Sequence, residues 1–254
     1  MRLRLDKFLA NKALGSRKEV HALIKQGLVT VDGNVAKKKD MPIDIPEQTI
    51  AVNGEIIDSR QIYYVKFNKP AGYVCAMEDA RHPTVMDILP PEFRTMGVGP
   101  VGRLDKDTEG LLLLSNDGAW AHRIINGKKH VPKRYYFEYS GTLSEEGLER
   151  IRTGIVLGDG TECKPAEIIV PDTVPAQSTD VSGNSADTGD DAVLFKSAEI
   201  IIEEGKYHQV KRMIGAAGGE ITYLKRLTVG HLDLSDIPNP GDFMYLEASD
   251  YEKL

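Results

Sequence analysis

Cysteine is scarce in this chain: Cys75 and Cys163 are the only two among 254 residues. Two are too few for a disulfide framework, and such sparing use fits a reducing compartment. Long apolar runs are missing as well. No stretch approaches the roughly 18 consecutive apolar residues that a membrane-spanning helix needs. The first residues, Met1-Arg2-Leu3-Arg4-Leu5-Asp6-Lys7, are too polar for the core of a signal peptide. The expectation is a cytoplasmic protein without membrane attachment. His21, His82, His122, His130, His208 and His231 stand at no metal-ligand spacing, which predicts no metal site.

Positive charge is in short supply overall, with a net charge of −6, but it is unevenly shared. Residues 1–40 hold ten Lys/Arg against four Asp/Glu, and the remainder holds 22 against 34. A basic segment on an acidic body is the pattern of a nucleic-acid-binding module attached to something else.

The basic segment reads as two helices and a hairpin. Leu5, Phe8 and Leu9 recur at i, i+3, i+4, one apolar helix face, and Gly15 can end that helix. Ser16 followed by Glu19 forms a capping box for a second helix, whose buried stripe is Val20, Leu23 and Ile24 and whose C-terminal glycine is Gly27. Leu28 to Val31 is a short strand, and Asp32-Gly33 is a hairpin turn. Lys12, Arg17, Lys18, Lys25 and Lys37 to Lys39 are expected on the outside.

Beyond a polar linker at Asp58 to Gln61, strands are expected at Tyr63–Phe67, Leu111–Leu114, Tyr135–Tyr139 and Ala198–Glu203, with a helix at Tyr207–Ala217. Without a regular βαβ rhythm the fold class is α+β. Residues 171–192 carry five aspartates and no Lys or Arg, a composition that predicts a flexible acidic surface loop.

Chemistry concentrates in Gly102-Arg103-Leu104-Asp105-Lys106-Asp107-Thr108-Glu109-Gly110, which runs into four leucines. A charged turn leading into a buried strand puts carboxylates on a rigid rim. Gly97-x-Gly99-x-x-Gly102 just before it is no dinucleotide fingerprint, because Pro100 interrupts and no helix follows. Nor is Asp105-x-Asp107-x-Glu109-Gly110 a calcium loop: its twelfth position is Asn116 rather than glutamate. A glycosidase pair would face across a cleft from separate elements, whereas Asp105 and Asp107 share one turn.

Taken in order, the motifs resemble those of rRNA pseudouridine synthases of the RsuA/RluA superfamily. Gly102-Arg103-Leu104-Asp105-x-Asp107-Thr108-x-Gly110-Leu111 is similar to their catalytic signature, Lys133-Arg134-Tyr135 to their second motif, and Glu204 to Met213 to their third. Asn68-Lys69-Pro70-x-Gly72-Tyr73, His82-Pro83-Thr84-Val85 and Asp117-Gly118-x-Trp120-x-His122-Arg123 resemble the small-subunit (16S) branch in particular. Arg4-Leu5-Asp6-Lys7-Phe8-Leu9, Ser16-Arg17 and Gly27-x-Val29-x-Val31-Asp32-Gly33 resemble an S4 RNA-binding module.

This resemblance implies a domain at 1–58 and a catalytic domain at 59–254, the latter on a mixed, mainly antiparallel sheet with flanking helices. It implies isomerisation of one uridine of 16S rRNA, of the position-516 type, without cofactor or metal, by a monomer. The substrate is ribosomal RNA of the small subunit, bare or part-assembled. The RluB/E/F-type large-subunit synthases and a non-catalytic rRNA-binding assembly protein are the alternatives.

By residue, the resemblance makes Asp105 the carboxylate, attacking the ribose or assisting departure of the uracil. Tyr135 stacks on the base. Lys211 keeps Asp105 ionised, with Arg212 as second choice. Arg103 fills the space left by the flipped nucleotide or binds a phosphate. Asp107 and Thr108 fix the turn by side-chain-to-backbone bonds. Arg4, Lys7, Arg17, Lys18 and Lys25 make phosphate contacts, as Arg212 does in its other role.

Overall fold

The computed structural model describes residues 2–125, 131–171 and 196–254. Beyond residue 171, the acidic loop expected at 171–192 lies outside the described residues.

The N-terminal module folds as its patterning dictates. Helices Leu5–Asn11 and Arg17–Lys25 bury Leu5, Phe8, Leu9, Val20 and Ile24 against Val29, Val31, Ile43 and Ile50. Ser16 accepts from the Glu19 backbone N–H while the Glu19 carboxylate accepts from Ser16 N at 2.7 Å, a closed capping box of about 1 kcal/mol. Strand Val29–Val31 pairs with Asn34–Val35 across Asp32-Gly33, both with positive φ, the backbone that a two-residue primed hairpin turn requires.

One expectation for this module fails. Lys12 is not on the outside but buried, its ammonium donating to the Arg60 carbonyl and the Tyr63 hydroxyl and lying 5.0 Å from the Tyr63 ring centroid. The reason is that the ammonium finds two oxygens and lies over two aromatic rings, Tyr63 at the start of the next unit and Phe8, 5.6 Å from its centroid.

The larger unit is one eight-stranded mixed sheet. Its main path runs Glu167–Ile169, Lys196–Ile202, Lys133–Gly141, Gly219–Val229, Glu109–Ser115, Tyr64–Lys69 and Phe243–Tyr245. Every pairing is antiparallel except that of Gly219–Val229 with Glu109–Ser115. The eighth strand, Gly99–Val101, pairs with Glu109–Ser115 alone, an edge position where Pro100 forfeits no ladder bond from a central strand.

Both faces of the sheet are covered, which explains the unbroken leucine run. Leu112 and Leu114 join one core with Phe67, Phe137, Ile200, Met213 and Ile214. Leu111 and Leu113 join another with Trp120, Ile124 and Val229. All four are essentially fully buried, a contribution of about 1.5–3 kcal/mol each. Helices Glu145–Thr153 and Gln209–Ala216 cover the first face and Gly118–Ile125 the second. Within the described residues the longest strand, Gly219–Val229, is one that the residue pattern does not announce.

Candidate active site

The turn Gly102–Thr108 leads into the Glu109–Ser115 strand and is fastened from beneath by a buried cation. Lys69 is fully buried, and its ammonium donates to the carbonyls of Pro70 at 3.0 Å, Lys106 at 3.2 Å and Thr108 at 2.7 Å. Burial pushes the Lys69 ammonium below its usual range, although Asp105, Asp107 and Glu109 act in the opposite sense. Two further bonds complete the fastening: Gly72 N to the Lys106 carbonyl at 2.7 Å, and Leu104 N to the Cys75 sulfur at 3.3 Å. Burial raises the Cys75 thiol, which suits this packing role.

Where the turn enters the strand, glycine is obligatory. Gly110 has φ +98°, and a Cβ there would stand 2.2 Å from the Arg226 carbonyl oxygen. This close approach is the parallel crossing of Gly219–Val229 against the strand.

Across the cleft lies the segment Glu204–His208 and the helix it opens. Glu204 is buried and accepts from Lys164 N at 3.0 Å and Gln209 Nε2 at 2.7 Å, while Gln209 Oε1 accepts from Lys206 N at 2.9 Å. These bonds hold His208 at φ 47°, ψ 34°, a left-handed conformation costing about 1–2 kcal/mol for a non-glycine residue. His208 stacks on Tyr207 with centroids 3.9 Å apart, and its Nε2 comes 3.3 Å from Asp105 Oδ1. In the sequence His208 stands out only as part of a motif; nothing in the residue string signals its backbone conformation.

The cations around the turn are arranged differently from the expectation. Lys211 Nζ lies 2.7 Å from each Asp107 oxygen and 3.7 Å from Asp105 Oδ2, so Asp107 is its primary partner and Asp105 its secondary one. Burial pushes the Asp107 carboxyl up, but the Lys211 ammonium outweighs this and leaves it below its usual value. Asp107 thus holds the cation as the main partner of its side chain, beside a backbone hydrogen bond of its own. Thr108 does not serve the turn through its side chain either: its hydroxyl is buried and has no hydrogen-bond partner among the described residues. Arg212, the second choice for Asp105, points elsewhere, to Asp159, the Tyr207 carbonyl and Thr161. One residue along a helix swings a side chain by about 100°, so Lys211 and Arg212 cannot face the same carboxylate.

Asp105 and Tyr135 line one cleft of about 850 Å³, with Arg103 exposed on it. Tyr135 is buried on the Lys133–Gly141 strand, opposite Arg226 of the neighbouring strand. Two buried cations share this cleft: Lys133, which the sequence offers only as the basic residue of the second motif, and Arg226, which sequence reasoning did not single out. Lys133 Nζ donates to the Val131 carbonyl at 2.9 Å, and Arg226 Nε to the Leu111 carbonyl at 2.6 Å, with Nη1 3.5 Å from the Tyr135 hydroxyl. Arg226 shares its burial with Leu224 two positions earlier, too short an alternation to signal it in the sequence.

On the N-terminal module Lys7, Arg17, Lys18 and Lys25 are exposed. Arg4 is also exposed but is engaged, pairing with Asp6 through Nε at 3.0 Å and Nη2 at 2.7 Å.

Comparison with known proteins bears on this arrangement. The RNA pseudouridylate synthase family model matches residues 63–216, and the S4 domain model matches residues 3–50. An uncharacterized RNA pseudouridine synthase of Bacillus subtilis is 42% identical, with 99% of this chain and 98% of that one covered. Ribosomal small subunit pseudouridine synthase A is 32% identical in Escherichia coli K12, over 95% of each chain, and 32% identical in Yersinia pestis, over 98% and 96%. A crystal structure of a pseudouridylate synthase superposes with TM-score 0.61 at 31% identity, covering 99% of each chain. The match of motif, sheet and cleft is therefore one of kinship: this chain belongs to the RNA pseudouridine synthase family and carries an N-terminal S4 domain.

Proposed function

We propose that the protein converts one specific uridine of small-subunit ribosomal RNA to pseudouridine, at the position-516 type of site, with Asp105 as the reacting carboxylate. The N1–C1′ bond breaks, the uracil turns within the cleft, and C5 bonds to C1′. A proton leaves C5 and one arrives at N1, so the change is an isomerisation with no net redox step. The observation that carries this reading is the placement of Asp105 in one cleft with Tyr135, with Lys211 and His208 both within 4 Å of the carboxylate.

Each part has a physical task. Lys211 and His208 are the polar partners that orient the Asp105 carboxylate toward the ribose. Tyr135 offers a flat apolar face that retains the detached base without fixing its orientation. Arg103, exposed on the cleft, occupies the gap in the RNA stack or neutralises a phosphate. The domain at 1–58 grips phosphates through Lys7, Arg17, Lys18 and Lys25, which raises affinity without reading bases. Arg4 contributes only after releasing Asp6, and Arg212 only from outside the catalytic pairing. The domain at 59–254 supplies the chemistry, and the protein works as a cytoplasmic monomer on free RNA or a part-assembled particle.

Similarity to the small-subunit enzymes of Escherichia coli and Yersinia pestis supports the choice of RNA. The test is carbodiimide labelling and primer-extension mapping of both ribosomal RNAs after incubation with purified protein. One new stop on small-subunit RNA is expected. A stop on large-subunit RNA alone would assign the other target, and none on either would leave the RNA-binding reading.

A further inference from the structure

The cleft contains two cations that the proposed chemistry above leaves unused. Lys133 and Arg226 are buried to 8% and 4% exposure, and both line the cleft that holds Tyr135 and Asp105. Among the described residues neither has a carboxylate within ion-pairing distance; their hydrogen bonds go to main-chain carbonyls and, for Arg226, to the Tyr135 hydroxyl. Neighbouring strands put the two on one face of the sheet, so each raises the cost of the other.

Buried like charges without a counter-ion are expensive, and an anion entering the cleft would relieve that cost. The position selects which anion. The pair lies beside the ring of Tyr135, with Arg226 Cζ 6.0 Å from its centroid, where the detached base has to sit. When N1–C1′ breaks with both electrons going to nitrogen, the base becomes an anion with its charge spread over N1, O2 and O4. We propose that Lys133 and Arg226 form a binding site for this uracil anion, holding the charge of the base during its turn.

The site is organised in advance. Lys133 is held by Val131 and Arg226 by Leu111, so neither reorients when the charge appears, the condition under which electrostatic stabilisation is most effective. Burial, and then repulsion from Arg226, push the Lys133 ammonium down to about 8, while Glu203 acts upward. It therefore remains mostly protonated at neutral pH, and an arriving anion secures that proton.

This site rests on the pseudouridine reading, so its test includes an arm that needs no turnover. The full chain is titrated with uracil and with 5-nitrouracil, an acidic analogue that is anionic at neutral pH, following ligand and protein by NMR. The wild type should prefer the anion by at least about tenfold. Lys133→Arg should keep this preference, and Lys133→Met should abolish it while leaving the backbone spectrum intact. In the second arm, single-turnover conversion is measured on a mixture of both ribosomal RNAs at saturating protein. Lys133→Met should slow it at least about tenfold with RNA affinity within twofold, and Lys133→Arg should restore most of the rate.

Equal binding of the two bases by the wild type, or an undiminished preference in Lys133→Met, overturns the site. So does a loss of RNA affinity with the salt slope reduced by about one and an unchanged rate, which is the behaviour of a backbone-phosphate contact. Failure of the wild type to convert RNA, with its anion preference intact, would count against the function alone.

Discussion

Lys211 divides its ammonium between two carboxylates of one turn, 2.7 Å from Asp107 and 3.7 Å from Asp105. Asp107 is the more exposed of the two and stands as the anchor, leaving Asp105 with a shared cation and the imidazole of His208. A carboxylate held by partners at 3.3 and 3.7 Å is stabilised but not locked, which suits the reacting role proposed for Asp105.

Asp105→Asn should lower the single-turnover rate by at least about a hundredfold while RNA affinity stays within a few-fold, since the amide keeps the shape and removes the charge. Asp107→Asn should retain much more activity, because Lys211 can then move the short distance to Asp105. A more severe loss in the Asp107 variant would reverse the assignment of the reacting carboxylate.

Lys211→Met should slow catalysis more than it weakens binding. Its ammonium is the lysine contact to Asp105, at 3.7 Å, so its loss should show in the single-turnover rate at saturating RNA. An unchanged single-turnover rate with a reduced salt slope would make Lys211 a phosphate contact instead.

The same substitution has a stability signature. The Asp107 carboxyl in the folded protein lies below its unfolded value near 3.8. Its contribution is therefore complete above that value and lost as pH falls through the depressed folded one. Denaturation midpoints of wild type and Lys211→Met should differ at neutral pH and converge in acid below about 3.8. A gap that stayed constant into acid would contradict the linkage.

Gly110→Ala should destabilise the protein by about 2–4 kcal/mol, combining a strained positive φ with a steric clash against the Arg226 main chain. Urea denaturation should show a lower midpoint at an unchanged slope. A near-neutral effect would mean that the strand crossing relaxes.

Removing residues 1–58 should weaken RNA binding strongly while leaving a folded remainder, which keeps its own cores. The salt dependence should flatten by about 0.7–0.9 units for each phosphate that the basic module no longer neutralises. Undiminished affinity with the same slope would acquit the basic module of the grip.

Local rules carried the N-terminal module: its capping box, hairpin turn and apolar stripes can all be read from residues a few positions apart. The candidate turn was legible because carboxylates beside a run of leucines are unusual. What escaped was decided by distant neighbours. Lys12, Lys69 and Arg226 look like surface residues in a string of letters, yet carbonyls and aromatic faces supplied from elsewhere make their burial tolerable. The Gly219–Val229 strand escaped for a related reason. Its burial follows no clean two-residue alternation, since Arg226 and Val229 are buried while Lys225 and Thr228 are only partly so. The pairing of Lys211 could not be fixed from sequence either, because Asp105 and Asp107 are two residues apart and either can meet a cation approaching from a helix about a hundred positions away.

The burial of Lys12 against Tyr63 has a consequence for target choice. Lys12 lies within the S4 match and Tyr63 at the start of the synthase match, so this ammonium links the two through the Tyr63 hydroxyl in addition to the chain itself. If two attachments limit swivelling, the span from the basic helices to Asp105 would act as a fixed gauge. An RNA seated on the helices would then offer whichever nucleotide falls at that span, and one uridine would be selected by measured length as much as by its neighbours.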